Sequence, residues 1–157
     1  MRKVITPKTT LIVPHGAISD LSNRLISVKP GETHAFGELT VRTVPAYNTK
    51  PDRLRYHPRE NDWIGYIFEF GGKRIYHAGD TDFIPEMKGL SVDVALLPMG
   101  GTYTMDADEC VLAANALAAK VVVPMHYKAL LKDKAWQAEE TIAAGSRAKV
   151  ELLNEVK

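Results

Sequence analysis

The sequence predicts an α/β fold with mixed sheets, and three features of the chain predict it. Residues 64–77 alternate apolar and polar positions on either side of Gly71-Gly72, the pattern of an antiparallel hairpin. Residues 92–97 and 121–124 are nearly continuous apolar runs, as in buried strands. Between those two runs lies a stretch with helical capping, so the second half reads as strand, helix, strand with a right-handed crossover and parallel pairing.

Taken in order, residues 9–13 form a short β-branched and apolar run closed by Pro14, and residues 25–28 form another, closed by the Pro30-Gly31 turn signal. From Glu38 to Val44, Leu39, Val41 and Thr43 share one face and Thr40, Arg42 and Val44 the other, which predicts a half-buried strand. Residues 47–62 contain Pro51, Pro58 and many charged side chains and read as a long polar loop, a class that is usually functional. In the hairpin, Gly71-Gly72 supplies the positive φ angles that a tight connection needs. The run at 92–97 predicts a strand covered on both faces. Asp106 and Glu109 have capping-box spacing and open a helix through Leu112, Ala116 and Ala119. Residues 121–124 give the next buried strand, residues 135–144 a helix ending near Gly145, and residues 150–153 a last short strand. No internal repeat or low-complexity segment interrupts this order, and residues 1–157 read as a single domain.

Composition narrows the function classes. The chain has 157 residues, 20 Lys+Arg against 19 Asp+Glu, and a net charge of +1, which argues against a nucleic-acid backbone binder. No run approaches the roughly 18 apolar residues of a membrane span. The first ten residues carry no hydrophobic stretch of the secretory type, and the expected location is cytoplasmic. One cysteine, Cys110, excludes an intrachain disulfide framework and a Cys-rich zinc site. It falls inside a predicted helix, where packing is its expected role.

The chemistry is expected at the strand ends. Three strands run into unusual loops: 78–82 after His77, 99–104 after Pro98, and 125–127 after Pro124. If those strands are parallel, the loops share the carboxyl edge of the sheet, where open α/β folds place their sites. Asp80 and His126 would then face one another, with a carboxylate and an imidazole that a divalent cation accepts. The alternative is that Asp80 caps a turn and His126 merely ends a strand. His57, in the long loop, is either a third ligand brought over the strand ends or a solvated residue. His77 either orients Asp80 or packs. His15 and His34 read as surface residues. Gly100-Gly101-Thr102 is a weak phosphate signal without an accompanying lysine. Arg53, Arg55 and Arg59 either meet an anionic substrate or are solvated.

Three blocks together resemble a known family: Gly65-Tyr66-Ile67 with Ile75-Tyr76-His77-Ala78-Gly79-Asp80-Thr81, then residues 93–101, then Val123-Pro124-Met125-His126-Tyr127. They are similar to the second half of metallo-β-lactamase-fold hydrolases, in the branch containing L-ascorbate-6-phosphate lactonase-like and metal-dependent hydrolases. The resemblance runs from about Thr9 to Tyr127. It implies a truncated αββα sandwich, with Asp80 as the metal-bridging and catalytic aspartate and His126 as the last metal-binding histidine. It implies zinc or manganese, and hydrolysis of an ester, lactone or phosphodiester by a metal-bound hydroxide.

Two departures accompany the resemblance. The family's upstream HxHxDH motif has no counterpart here, and the position expected for its middle histidine carries Asn48. His57 or a second chain would complete the ligand set, since a catalytic zinc normally has three protein ligands. A missing leading half would also uncover apolar sheet surface, so the expected partners are a further copy of the chain or a complementing chain, with a small-molecule substrate. The competing reading is a non-catalytic scaffold or interaction module retaining this half of the fold.

Overall fold

The computed structural model describes residues 5–17 and 24–153. The expectation for the first four residues therefore lies outside the described chain. Two parallel strands, β1 (Thr10–Pro14) and β2 (Arg24–Val28), form a small sheet. A seven-stranded mixed sheet has sequential order: β3 (Thr33–Phe36), β4 (Leu39–Pro45), β5 (Ile64–Phe70), β6 (Lys73–His77), β7 (Val94–Pro98), β8 (Val121–Met125) and β9 (Lys149–Val150). The β3 to β6 pairings are antiparallel, and those from β6 to β9 are parallel.

Among the described residues three α-helices accompany the large sheet: α1 (Ala107–Ala116), α2 (Lys128–Leu131) and α3 (Ala135–Gly145). Helix α1 packs on α3 and on β7. Its start obeys the predicted capping box: Asp106 Oδ1 accepts from the Glu109 N–H at 2.9 Å, and the Asp106 N–H donates to Glu109 Oε2 at 3.2 Å. Among the described residues no helix is long and apolar enough to cross a membrane.

Register explains where the core lies. Ile67, Tyr76, Ala95 and Val122 are paired across four strands and are all buried. They belong to one cluster with Leu97, Cys110, Ala113, Leu117 and Ile142, which places that face under the helices. Each buried Ile, Leu or Val side chain among them contributes about 1.5–3 kcal/mol by leaving water. The adjacent row, Phe68, Ile75, Val94 and Val121, points to the other face and is only half covered, with Ile75 39% exposed. The run at 92–97 was expected to be covered on both faces; one face is sealed and the other is not. The small sheet meets this second face through Tyr66, whose hydroxyl donates to the Ile12 carbonyl at 2.9 Å.

Other differences are local. Strand β3 escapes a reading by apolar runs because it has only four residues; it pairs with β4 across a Gly37-Glu38 turn. The last strand is shorter than expected and sits at Lys149–Val150. Cys110 is buried, and burial pushes its thiol up to about 12, consistent with a packing role.

The largest surprise is Arg53, which the charge pattern offers as solvated or substrate-facing. It is 2% exposed. Its guanidinium pairs with Asp82 at 3.2 Å and with Glu109, and donates to the Thr104 carbonyl. Arg53→Met would strand two buried carboxylates. The expected loss is about 3–5 kcal/mol of stability by urea unfolding, against under 1 kcal/mol for the exposed neighbour change Arg55→Met.

Candidate metal centre

Strand direction builds the site. Strand β4 is antiparallel to β5, β5 to β6, and β6 is parallel to β7 and β8. The carboxyl ends of β4, β6, β7 and β8 therefore share one rim. Residues 46–62, 78–82, 99–105 and 126–127 all emerge there.

The loop at 47–62 does not swing over this rim; it is tied down. Asn48 N–H donates to the His57 carbonyl at 2.8 Å, closing the loop's base. Asp82, fully buried, receives the Thr49 and Lys50 N–H groups at 2.7 and 3.1 Å on one oxygen. Its other oxygen receives Asn48 Nδ2 at 3.0 Å and the Arg53 guanidinium at 3.2 Å. Thr81 Oγ1 joins the same rim by donating to the Tyr47 carbonyl at 3.0 Å and accepting the Tyr47 N–H at 3.1 Å. Arg59 stacks over Tyr47 and pairs with Glu86 at 3.1 Å.

This fastening brings His57, Asp80 and His126 to one place. His57 Nε2 lies 3.6 Å from Asp80 Oδ2, and His126 Nε2 lies 3.7 Å from the same oxygen. Both separations exceed an ordinary hydrogen bond. They are close to the roughly 3.4 Å between two donors that each sit about 2.0–2.2 Å from one tetrahedral zinc. The His57 side chain is 14% exposed, whereas those of Asp80 and His126 are 40% and 39% exposed, so the latter two have room to adjust. Among the described residues no group of three or more His, Cys, Asp or Glu side chains is already arranged to hold an ion. Both imidazoles thus face the same Asp80 carboxylate oxygen.

The backbone around these residues is unusual. Gly79, just before Asp80, has φ +70°, and a Cβ there would lie 3.1 Å from the Ile64 carbonyl oxygen. His126 has φ +55°, a left-handed conformation costing a non-glycine residue about 1–3 kcal/mol. Gly100 faces that turn: a Cβ on it would lie 2.5 Å from the His126 carbonyl oxygen and 2.6 Å from Leu130 Cδ1. Beside His57 and Asp80, a cleft of about 330 Å³ is lined by Pro14, Ala46, Trp63 and Ile64.

The remaining residues fall into place around this rim. His77 Nδ1 accepts the Gly79 N–H at 3.1 Å, and burial holds its pKa below the usual imidazole value, so it shapes the turn leading to Asp80. His15 is exposed and His34 pairs with Glu32 at 3.0 Å. The Gly100-Gly101 pair serves packing and a turn, with Gly101 N–H given to the Met105 carbonyl. Sequence reasoning missed the parts of Asn48, Asp82 and Arg53. The visible signal was a second aspartate two residues after Asp80 in a chain where arginine follows the β4 end, a pairing that spacing alone does not reveal.

Residues 1–127 match the family model described as "Beta-lactamase superfamily domain". The chain is similar to a "UPF0173 metal-dependent hydrolase" of Methanocorpusculum labreanum, 35% identical over 119 residues, covering 71% of this chain and 53% of that protein. Among solved structures, a protein of Parabacteroides distasonis superposes with TM-score 0.72 at 36% identity, covering 83% of this chain and 57% of that one. Igni18, described as a metallo hydrolase from Ignicoccus hospitalis, superposes with TM-score 0.71 at 28% identity, covering 87% of this chain and 60% of that one. The chain thus spans a little over half the length of these relatives.

The close approach at Gly100 gives a direct check. Gly100→Ala should destabilise the protein by about 1–3 kcal/mol in urea unfolding, because the added methyl meets the His126 backbone carbonyl, which cannot yield as the Leu130 side chain can. Gly37→Ala, where a Cβ meets nothing within 4 Å but φ is +63°, supplies the comparison for backbone strain without a clash.

Proposed function

This chain belongs to the β-lactamase superfamily domain family, and on that premise we propose that its rim binds a divalent cation and serves metal-dependent hydrolysis. The observation that supports this best is the single carboxylate oxygen of Asp80 standing 3.6 and 3.7 Å from two imidazole nitrogens. A carboxylate with imidazole donors suits zinc or manganese, and carboxylate oxygens can bridge two ions. Asp80, His57 and His126 are the residues that would hold the cation.

When bound, the cation supplies acidified water and a polarised scissile bond. The chain's own residues do the rest. Asp80 would hold the cation beside the cleft. His126, on a strained turn buttressed by Gly100, approaches from the β8 side. The walls at Pro14, Ala46, Trp63 and Ile64 would border a substrate on one side. The substrate in this reading is a small ester, lactone or phosphodiester. The three sequence blocks around Asp80, Gly100 and His126 favour the L-ascorbate-6-phosphate lactonase-like branch. Arg55 and Arg59, with Arg53 withdrawn into the interior, are the remaining candidates to meet an anionic group.

Partners belong to the same proposal. Phe70 and Ile75 are exposed on the half-covered face of the large sheet, and Leu25 is exposed on the small sheet. A second copy of the chain, or a complementing chain supplying upstream ligands, would cover that face and complete the ligand set. The second reading, a scaffold without catalysis, is favoured by one observation: among the described residues no three-ligand group is ready-made.

Metal titration separates the two readings. For a hydrolase, carefully purified protein takes up about one zinc or manganese per chain, with a melting-temperature rise that grows with metal concentration. Asp80→Ala and His126→Ala each abolish the uptake. No uptake and an unchanged melting temperature would establish the scaffold. Sedimentation at micromolar concentration is expected to give a species larger than a monomer; a monodisperse monomer would remove the self-association proposal.

A further inference from the structure

We propose that Asn48 is a positioning residue that sets the tautomer of His57, keeping the proton on Nδ1 and turning a bare Nε2 lone pair toward Asp80. The inference deepens the metal reading, on which its relevance to the site rests, but its argument comes from a hydrogen-bond network that stands without any ion.

The network admits one assignment. Asn48 is 2% exposed. Its Nδ2 lies 3.0 Å from Asp82 Oδ1 and 3.0 Å from the Tyr103 carbonyl oxygen. A backbone carbonyl only accepts, and Asp82 already takes two backbone N–H groups and a guanidinium, so both partners want a donor. The amide nitrogen must therefore be on this side, with both hydrogens given away. That fixes Asn48 Oδ1 against His57 Nδ1 at 2.9 Å. The same Nδ1 lies 3.1 Å from the Tyr103 carbonyl oxygen. Two acceptors thus face Nδ1 and no donor does, so Nδ1 carries the hydrogen. A neutral imidazole has only one, and Nε2 is left with its lone pair, 3.6 Å from Asp80 Oδ2.

In water, neutral histidine prefers the opposite tautomer, so the protein imposes this one. Bare nitrogen facing carboxylate is unfavourable alone and becomes favourable when a cation lies between them. Hydrogen bonding to the far ring nitrogen is how proteins orient a ligand histidine. The asparagine that stands where the family resemblance leads one to expect a histidine is thus assigned a role one bond removed from the cation. Behind it, Glu109, Arg53 and Asp82 form a buried relay that holds its amide in one orientation.

The test reads ring-nitrogen chemical shifts of ¹⁵N-histidine protein, metal-free, at about pH 8.5, where imidazoles are ordinarily neutral. His57→Gln identifies the resonances. Wild-type protein should show a protonated Nδ1 and an unprotonated Nε2; a proton on Nε2 overturns the proposal without any further variant. In Asn48→Ala one of the two acceptors is gone, and a measurable Nε2–H population should appear; an unchanged tautomer overturns the role of Asn48. Zinc affinity of Asn48→Ala should fall about tenfold or more, in the range known for such outer hydrogen bonds. If the wild-type tautomer is as stated but zinc does not bind at all, the tautomer inference stands and the metal reading of the site fails.

Discussion

A guanidinium withdrawn from water holds this rim together. Arg53 comes from the long connection between β4 and β5, yet it reaches between Asp82, which follows β6, and Glu109, which opens α1. Burying a charge is costly unless opposite charge and hydrogen bonds surround it. Here two carboxylates and the Thr104 carbonyl do so, and the reward is geometric. Three segments distant in sequence are locked to one another. Asp82, held by Arg53, can then receive the Thr49 and Lys50 N–H groups and the Asn48 amide, and Asn48 in turn holds His57. Loosening the first member of this chain of bonds loosens all that follow.

The second constraint is direction. A sheet whose antiparallel half feeds a parallel half places the ends of β4, β6, β7 and β8 on one side. The chemistry-bearing residues sit in the connections at that side because connections carry free side chains while strands carry the core. Such crowding of backbones requires residues without a Cβ at the points of closest approach, and Gly100 against the His126 turn is one of them. The strained His126 conformation survives because Gly100 lets the β7 loop pack directly on it.

The two faces of the large sheet are unequal. The row containing Ile67, Tyr76, Ala95 and Val122 is buried in one cluster with helix residues, while the row containing Phe68, Ile75, Val94 and Val121 is only half covered among the described residues. Local sequence cannot distinguish these cases. An apolar residue that faces a helix and one that faces a partly open layer look alike along the chain, since both rows alternate with period two.

The sequence by itself determined most of the strands and helices in order, β3 and the short α2 excepted, together with the Gly71-Gly72 hairpin and the Asp106–Glu109 cap. Each of these depends on neighbours within a few positions, where periodicity and turn chemistry act. Tertiary structure alone decided that His57 is pinned at the rim, that Asn48 supports it from behind, and that Arg53 is interior. Those outcomes depend on partners 9 to 56 positions away. The physical reason is that a charged side chain in a loop is solvated by default, and only complementary charge delivered by other segments makes its burial favourable. Composition and spacing record the charges but not which of them will meet.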